Sequence, residues 1–384
     1  MKSSNKTMES PTLLTVKRKS GLDNAGIMLL ITISLFVVFY VFSVFRFQES
    51  NFGKYSVFFN TFFNRTPYLL VLSLGLTVVM ITGSIDISVG GVVGLVAMVI
   101  AVMLTNQGVS AVWTIPAALG IGLAFGAAQG FLVAYMQIQP FIVTLIGMFF
   151  ARGMISMIRP VSVPITDATP GGSMFKVWSR TQLDIPFLYN VRRSGVHDVA
   201  YLSLGAIIII VSLIIVIILL KFTRFGRSFY AVGGNEQSAL LMGIDARWTK
   251  FMAHVMCGIL ASIGGFVFTL GILSGSPDYG RGYEINAIAS SVIGGVMLSG
   301  GVGLPIGTFF GVLINLLVQG VVPLTNLKEE AKASLPPIIT SAFLLGFIVL
   351  QSVLVIAGRK GGIKQLLPEW LRFKNKEREN ASMA

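Results

Sequence analysis

Apolar residues in this chain come in long unbroken runs: Gly26–Phe45, Tyr68–Thr82, Gly91–Leu104, Val112–Met136, Phe141–Ile158, Tyr201–Leu220, Phe251–Leu273, Ile285–Leu298, Leu304–Val322 and Pro336–Ala357. Most lie near the ~20 residues that span a bilayer as helix. A transmembrane β-barrel would instead show segments of about ten alternating residues. The pattern predicts an all-α polytopic membrane protein with about ten transmembrane helices. Residues 26–357 form the membrane domain, 1–25 an N-terminal tail and 358–384 a basic C-terminal tail.

The interruptions carry as much information as the runs. Gly83–Gly90, GSIDISVG, separates the second span from the third, and the Gly-rich stretch Gly294–Gly307, GGVMLSGGVGLPIG, follows the eighth. Each closes one apolar span and opens the next. Equivalent breaks in two halves predict an inverted repeat whose irregular backbone lines a cavity. Ser84, Asp86, Ser88, Gly294, Gly295, Gly300 and Gly301 are therefore candidates for a translocation path or gate. Gly122, Gly126 and Gly130 recur every fourth residue, as do Gly303, Gly307 and Gly311, with Gly90 and Gly94 as a further pair. Small residues at this spacing make a flat helix face for close packing in lipid. No Gly-Lys-Ser/Thr follows the glycines, so a phosphate-cradling loop is excluded.

Composition agrees: of 384 residues, 54% are hydrophobic and 12% charged, against a charged share of about 25% in soluble domains. The net charge of +13 comes from cations that flank the runs, the pattern of topology signals rather than of nucleic-acid binding. They cluster at Lys2, Lys6, Lys17, Arg18 and Lys19, at Lys221, Arg224, Arg227, Arg247 and Lys250, and at Arg359, Lys360, Lys364, Arg372, Lys374, Lys376 and Arg378. Ten spans put these three groups on one side, which the positive-inside rule makes the cytoplasm. Both termini are then cytoplasmic and the polar segment 159–200 lies outside. The first run follows a basic tail with no small-residue cleavage site, so it reads as an uncleaved helix.

Catalytic chemistry is sparse. Cys257 is the single cysteine, His197 and His254 are the only histidines, and no set of His, Cys, Asp and Glu has metal-ligand spacing. Asp86 stands at the junction of two spans. It reads either as a cap for the helix that follows or as an intramembrane acid in contact with the transported solute. Arg152, inside the fifth run, should snorkel or pair within the bundle.

Thr223–Lys250, TRFGRSFYAVGGNEQSALLMGIDARWTK, is polar and basic between two apolar runs. Asn235 can N-cap a short helix that ends at a Gly243 C-cap, and Leu240, Leu241 and Met242 give it an apolar edge. Such a helix either docks into a groove on a partner or lies on the lipid surface.

Four motifs in order carry a resemblance: GSIDISVGG, QPFIVTLIGMFFAR at Gln139–Arg152, RFGRSFYAVGGNEQSALLMGI, and AIASSVIGGVMLSGGVG. Between about Asn64 and Gln351 the chain resembles bacterial ABC-type monosaccharide permeases of the ribose/xylose/galactose group. Within that group it is most similar to the second permease of the galactofuranose-type importer and its fructose-import relatives. The resemblance implies a type II-like ABC import permease in the bacterial cell membrane, carrying a simple sugar such as galactofuranose, fructose, ribose or xylose. It implies an ATP-binding subunit inside, a second permease subunit (a heterodimer favoured over a homodimer) and a sugar-binding protein outside. ATP and Mg belong to the partner ATPase; this chain has no cofactor and is not an enzyme. The family's coupling segment maps onto Gly233, Gly234, Asn235, Ala239, Leu241, Met242 and Gly243. An ion- or proton-coupled secondary transporter is the alternative, and it would require a titratable cluster at mid-membrane.

Overall fold

Within hydrocarbon a chain must close its hydrogen bonds without water, and helix is the local solution. The computed structural model describes residues 21–46, 63–64, 67–191, 197–325 and 328–357. The expected tails at 1–20 and 358–384, their cations, and most of the connection before Tyr68 lie outside the described residues. In chain order the helices are α1 (Gly21–Arg46), α2 (Tyr68–Ile81), α3 (Val89–Thr105), α4 (Thr114–Ala134), α5 (Pro140–Ile158), α6 (Pro170–Arg180), α7 (Leu204–Phe222), α8 (Arg224–Gly234), α9 (Glu236–Leu241), α10 (Ala246–Ile272), α11 (Tyr283–Ile293), α12 (Pro305–Val321) and α13 (Glu329–Ala357). Six of these, namely α1, α4, α5, α7, α10 and α13, are long and apolar enough to cross a membrane. The four short ones among the expected spans, α2, α3, α11 and α12, have 14, 17, 11 and 17 residues. All four flank the two Gly-rich breaks.

Two expectations need correcting. The chain is mostly helical but not all-α. Residues 159–203 hold the strand β1 (Val163–Pro164), helix α6 and an antiparallel hairpin of β2 (Gln182–Val191) and β3 (His197–Ser203), while β1 pairs with β4 (Ser274–Gly275). The segment's prolines and charges disguise its β-branched and aromatic positions. The basic stretch 223–250 holds two short helices, one of them the expected helix after Asn235, and the start of α10, which begins five residues ahead of the expected span. Asp245 explains the early start: its carboxylate accepts the Trp248 N–H at 2.9 Å and caps the helix.

Helix α10 is the axis of the bundle, packed against α4, α2 and α3. Along the α4 contact the backbones nearly touch. A Cβ on Gly126 would lie 2.6 Å from the His254 carbonyl oxygen and 2.8 Å from the Val255 Cα, and one on Gly130 would lie 2.8 Å from the Phe251 carbonyl oxygen. Gly122 faces Gly258 in the same manner. Close van der Waals contact of this kind is what associates helices in lipid, where burial of apolar surface gives no driving force.

A second seam joins α2, α11 and α12 and uses buried hydroxyls and amides. Thr77 meets Thr308 at 2.7 Å, Ser291 donates to the Ser73 carbonyl at 3.0 Å, and Asn315 donates to Ser290 at 3.1 Å. Gly294 packs on Gly307, and Gly311 on Ser290. The segment 159–203 covers the Ile272 end of α10, with the buried Phe175 against Phe266 at 5.8 Å between ring centroids. Helices α8 and α9 cover the Ala246 end.

Gly126→Val should prise α4 from α10. Overpacking of this kind costs about 1–3 kcal/mol. The purified protein in detergent should unfold at lower temperature, whereas Gly120→Ala, where an added Cβ meets nothing within 4 Å, should not.

Candidate functional site

Helix α9 is short, so its ends matter more than its propensity. Asn235 accepts the Ser238 N–H at 2.8 Å at the start. At the finish Gly243 adopts φ +79°; its N–H bonds the Leu240 carbonyl at 2.9 Å and the Ile244 N–H bonds the Ala239 carbonyl at 3.0 Å. That is the paired closing pattern of a Schellman cap. Ala239 is buried against Val232 of α8 and Ala246 of α10, and Lys250 pairs with Glu236 at 2.6 Å. The helix is thus clamped to the end of α10. Its other side is bare: Leu241 is 90% exposed and Met242 68%.

The same cap closes the helices before both breaks. At the first, Gly83 has φ +81°, its N–H bonds Met80 at 2.9 Å, and the Ser84 N–H bonds Val79 at 3.3 Å. At the second, Gly295 has φ +89°, its N–H bonds Val292 at 2.9 Å, and the Val296 N–H bonds Ser291 at 3.0 Å. The breaks then meet each other. The Gly301 N–H donates to the Ile81 carbonyl at 2.8 Å, and a Cβ on Gly300 would lie 2.8 Å from the Gly83 nitrogen.

The end of α8 fills the remaining side of this junction. Gly233 abuts the Ile81 carbonyl, and a Cβ there would lie 2.7 Å from the Gly301 nitrogen; one on Gly301 would lie 2.7 Å from the Gly234 Cα. Tyr230 donates to the Gly303 carbonyl at 2.8 Å. Burial pushes the Tyr230 phenol up to about 12, so it stays a neutral donor at physiological pH. The end of α8, which leads directly into α9, is therefore in backbone contact with both breaks, at Gly233–Ile81, Gly233–Gly301 and Gly234–Gly301.

Asp86 is buried, and its Oδ1 accepts from the Ser88 N–H at 2.8 Å and the Ser88 hydroxyl at 2.7 Å. Ser88 in turn accepts from Gln129 Nε2 at 2.9 Å. Asp86 thus braces the turn that enters α3 rather than capping the helix's free N–H groups. It also lies within electrostatic reach of His254 and Cys257, both on α10. His254 Nδ1 lies 2.9 Å from the Lys250 carbonyl and so carries its hydrogen there, while Nε2 has no partner. Arg152 pairs with Glu284, in the first turn of α11, at 3.2 Å.

The predicted residues therefore separate into groups. Gly234, Asn235, Leu241, Met242 and Gly243 are on the surface, Ala239 faces inward, and Gly233 is wedged against the breaks. Ser84, Asp86, Ser88, Gly294, Gly295 and Gly300 are buried and Gly301 is half-buried, so within the single chain they form a packed junction rather than an open path. Gly303 packs on Val296 and Ile81. Sequence reasoning missed Tyr230, Gln129 and Glu284, whose partners are distant along the chain. Among the described residues no group of His, Cys, Asp and Glu could hold a metal ion.

Comparison with known proteins covers nearly the whole chain. The family model described as "Branched-chain amino acid transport system / permease component" matches residues 58–352. The inner membrane ABC transporter permease protein YjfF of Escherichia coli is 34% identical over 328 residues, covering 85% of this chain and 92% of that protein. The fructose import permease protein FruG of Bifidobacterium longum is 33% identical over 347 residues, covering 90% and 96%. The ribose import permease protein RbsC of Escherichia coli is 34% identical over 259 residues, covering 66% and 75%. No solved structure matches the chain.

Removing one member of the Arg152–Glu284 pair leaves a charge buried alone, which costs about 3–5 kcal/mol in well-buried pairs. With the Arg152 side chain 29% exposed, Arg152→Leu should fall at or below the lower end. Adding Glu284→Gln should recover most of the loss. Thermal unfolding of the single and double variants measures both.

Proposed function

This chain belongs to the branched-chain amino acid transport system / permease component family, and from that premise we propose the way it works. It is the membrane-spanning permease subunit of an ATP-driven ABC importer for a monosaccharide. Its relatives include permeases named for fructose, ribose and xylose import. A sugar is neutral, so its passage requires no buried counter-charge. The chain is not an enzyme: an ATP-binding partner subunit carries ATP and Mg and performs the hydrolysis, and a substrate-binding protein delivers the sugar.

The observation that carries the mechanism is the position of α9, apolar and bare on one side and clamped to the bundle axis on the other. We assign Leu241 and Met242 as the anchors that enter a groove on the ATPase. Gly234, Asn235 and Gly243 shape the backbone around them, while Ala239 fixes α9 to α8 and α10. When the ATPase pair closes on ATP, it displaces α9. Motion passes through α10 as a rigid rod and through Gly233 into the junction of the two breaks, and the bundle changes its open side. Ser84, Asp86, Ser88, Gly294, Gly295, Gly300 and Gly301 are the gate in this reading. The matching caps at Gly83 and Gly295 support an inverted repeat of about ten membrane segments. Because coupling free energy is reciprocal, a loaded binding protein outside should favour the ATP-bound, closed ATPase pair inside, and we expect hydrolysis to rise with it.

The cations of the 223–250 segment, near the Ala246 end of α10, support placing that end and both tails in the cytoplasm of a bacterial cell. The α6 and β2–β3 segment then faces outward. The permease partner is favoured to be a second, different permease, as in the galactofuranose-type importers that the chain resembles.

Co-purification from membranes should recover an ATPase and a second permease, and uptake should stop on ATP depletion but survive a protonophore. The opposite response would identify an ion-coupled carrier. Gly243→Val has room for its side chain, so its cost is the left-handed backbone alone, about 1–2 kcal/mol. It should abolish sugar-stimulated ATPase activity while leaving the chain in the membrane. Leu241→Glu should lower recovery of the ATPase at least tenfold.

A further inference from the structure

A broken helix in hydrocarbon exposes carbonyls that its own segment cannot satisfy. At the second break those carbonyls are met from two helices that otherwise stand at the margin of the bundle. Thr32 on α1 places its hydroxyl 2.7 Å from the Ile293 carbonyl and 2.9 Å from its own Met28 carbonyl. Gln351 on α13 directs Nε2 at two carbonyls, Val292 at 3.2 Å and Val296 at 3.1 Å. Thr32 is fully buried and Gln351 is 6% exposed, although both helices present Leu, Val and Phe side chains outward, such as Leu30, Phe42, Leu345 and Val349. Met28 also presses its Cβ toward Gly295, where an added Cβ would lie 2.8 Å away.

The first break is served in the same currency. Gln129 of α4 donates to Ser88, and the Thr144 hydroxyl of α5 lies 3.3 Å from the Ile85 carbonyl. Each break is thus held by one glutamine and one threonine drawn from two flanking helices. Neither Thr32 nor Gln351 touches the junction with α8, so their placement is not needed to seat α9.

We propose that Thr32 and Gln351 are positioning residues of the permease: they hold the second break in the geometry through which the motion of α9 is transmitted, which makes α1 and α13 parts of the working unit. The side chains act through the backbone of residues 292–296 and contact no substrate. This inference rests on the importer reading for its transport consequence, but not for the bracing itself.

The test uses Thr32→Val and Gln351→Met, each close in shape and lacking the donor, with Thr32→Ser as the conservative variant. Ser43→Ala is the control: Ser43 is a buried hydroxyl on α1 that bonds only its own helix, at Phe39. Two quantities are measured on the complex purified in lipid: hydrogen exchange at the Gly294, Gly295 and Val296 amides, and sugar transported per ATP hydrolysed. Exchange should rise about tenfold in Thr32→Val and Gln351→Met, as expected for loss of a hydrogen bond. Sugar per ATP should fall several-fold in the same two variants, with Thr32→Ser and Ser43→Ala unchanged in both. Unaltered exchange overturns the bracing. Faster exchange at unaltered sugar per ATP overturns the positioning role. An unsubstituted complex without ATP-driven uptake would refute the importer reading instead, and the exchange measurement would still decide the bracing.

Discussion

Every backbone amide and carbonyl placed in hydrocarbon has to find a partner in protein, and the architecture of this chain follows from meeting that demand at two interrupted helices. The four helices around the breaks have 14, 17, 11 and 17 residues, at or below the short end of what spans a bilayer. Longer helices supply what the breaks lack, side-chain donors from α1, α4, α5 and α13, while glycine faces on α4 and α12 let α10 and α11 approach. Where the breaks meet, they partner each other, Gly301 N–H to the Ile81 carbonyl at 2.8 Å. An opening there would strand both groups at once, so the junction moves as a unit or not at all. That would suit the proposed gate, which is driven from a distance.

The proposed lever has the complementary property. Helix α10 runs 27 residues from the Asp245 cap to Ile272 and meets α4 backbone to backbone. Close packing of this kind transmits displacement with little loss, because interiors are nearly incompressible. His254 and Cys257 of α10 lie within electrostatic reach of Asp86 at the first break, so in the proposed mechanism a shift of α9 would reach that break through α10 as well as through Gly233.

What could be read from the sequence was what depends on near neighbours. Helical runs, the glycine interruptions, and the Asn235 and Gly243 ends of α9 all follow from residues within one or two turns. The glycine spacing on α4 pointed to close packing without naming α10 as the surface it meets. Contacts that join distant parts left no comparable trace: Arg152 with Glu284, Tyr230 with Gly303, Gln351 with Val292 and Val296. A buried glutamine in an apolar run looks like tolerated polarity until the carbonyls it serves are seen. The hairpin at Gln182–Ser203 went unread because its strands sit at the bundle end, where polar and apolar positions mix. Ala239 sits among the expected docking residues although it faces inward; in a helix, residues two apart, such as Ala239 and Leu241, point in nearly opposite directions.

The dependence of the second break on α13 also has a consequence for biosynthesis. Helices α11 and α12 leave the ribosome before α13, and until α13 enters the membrane, Gln351 is not present to meet the Val292 and Val296 carbonyls. The nascent permease passes through an interval in which its second half is inserted but not closed. Insertion factors that shelter polar backbone, or proteases that recognise it, would meet the chain during that interval, and arrival of α13 would end it.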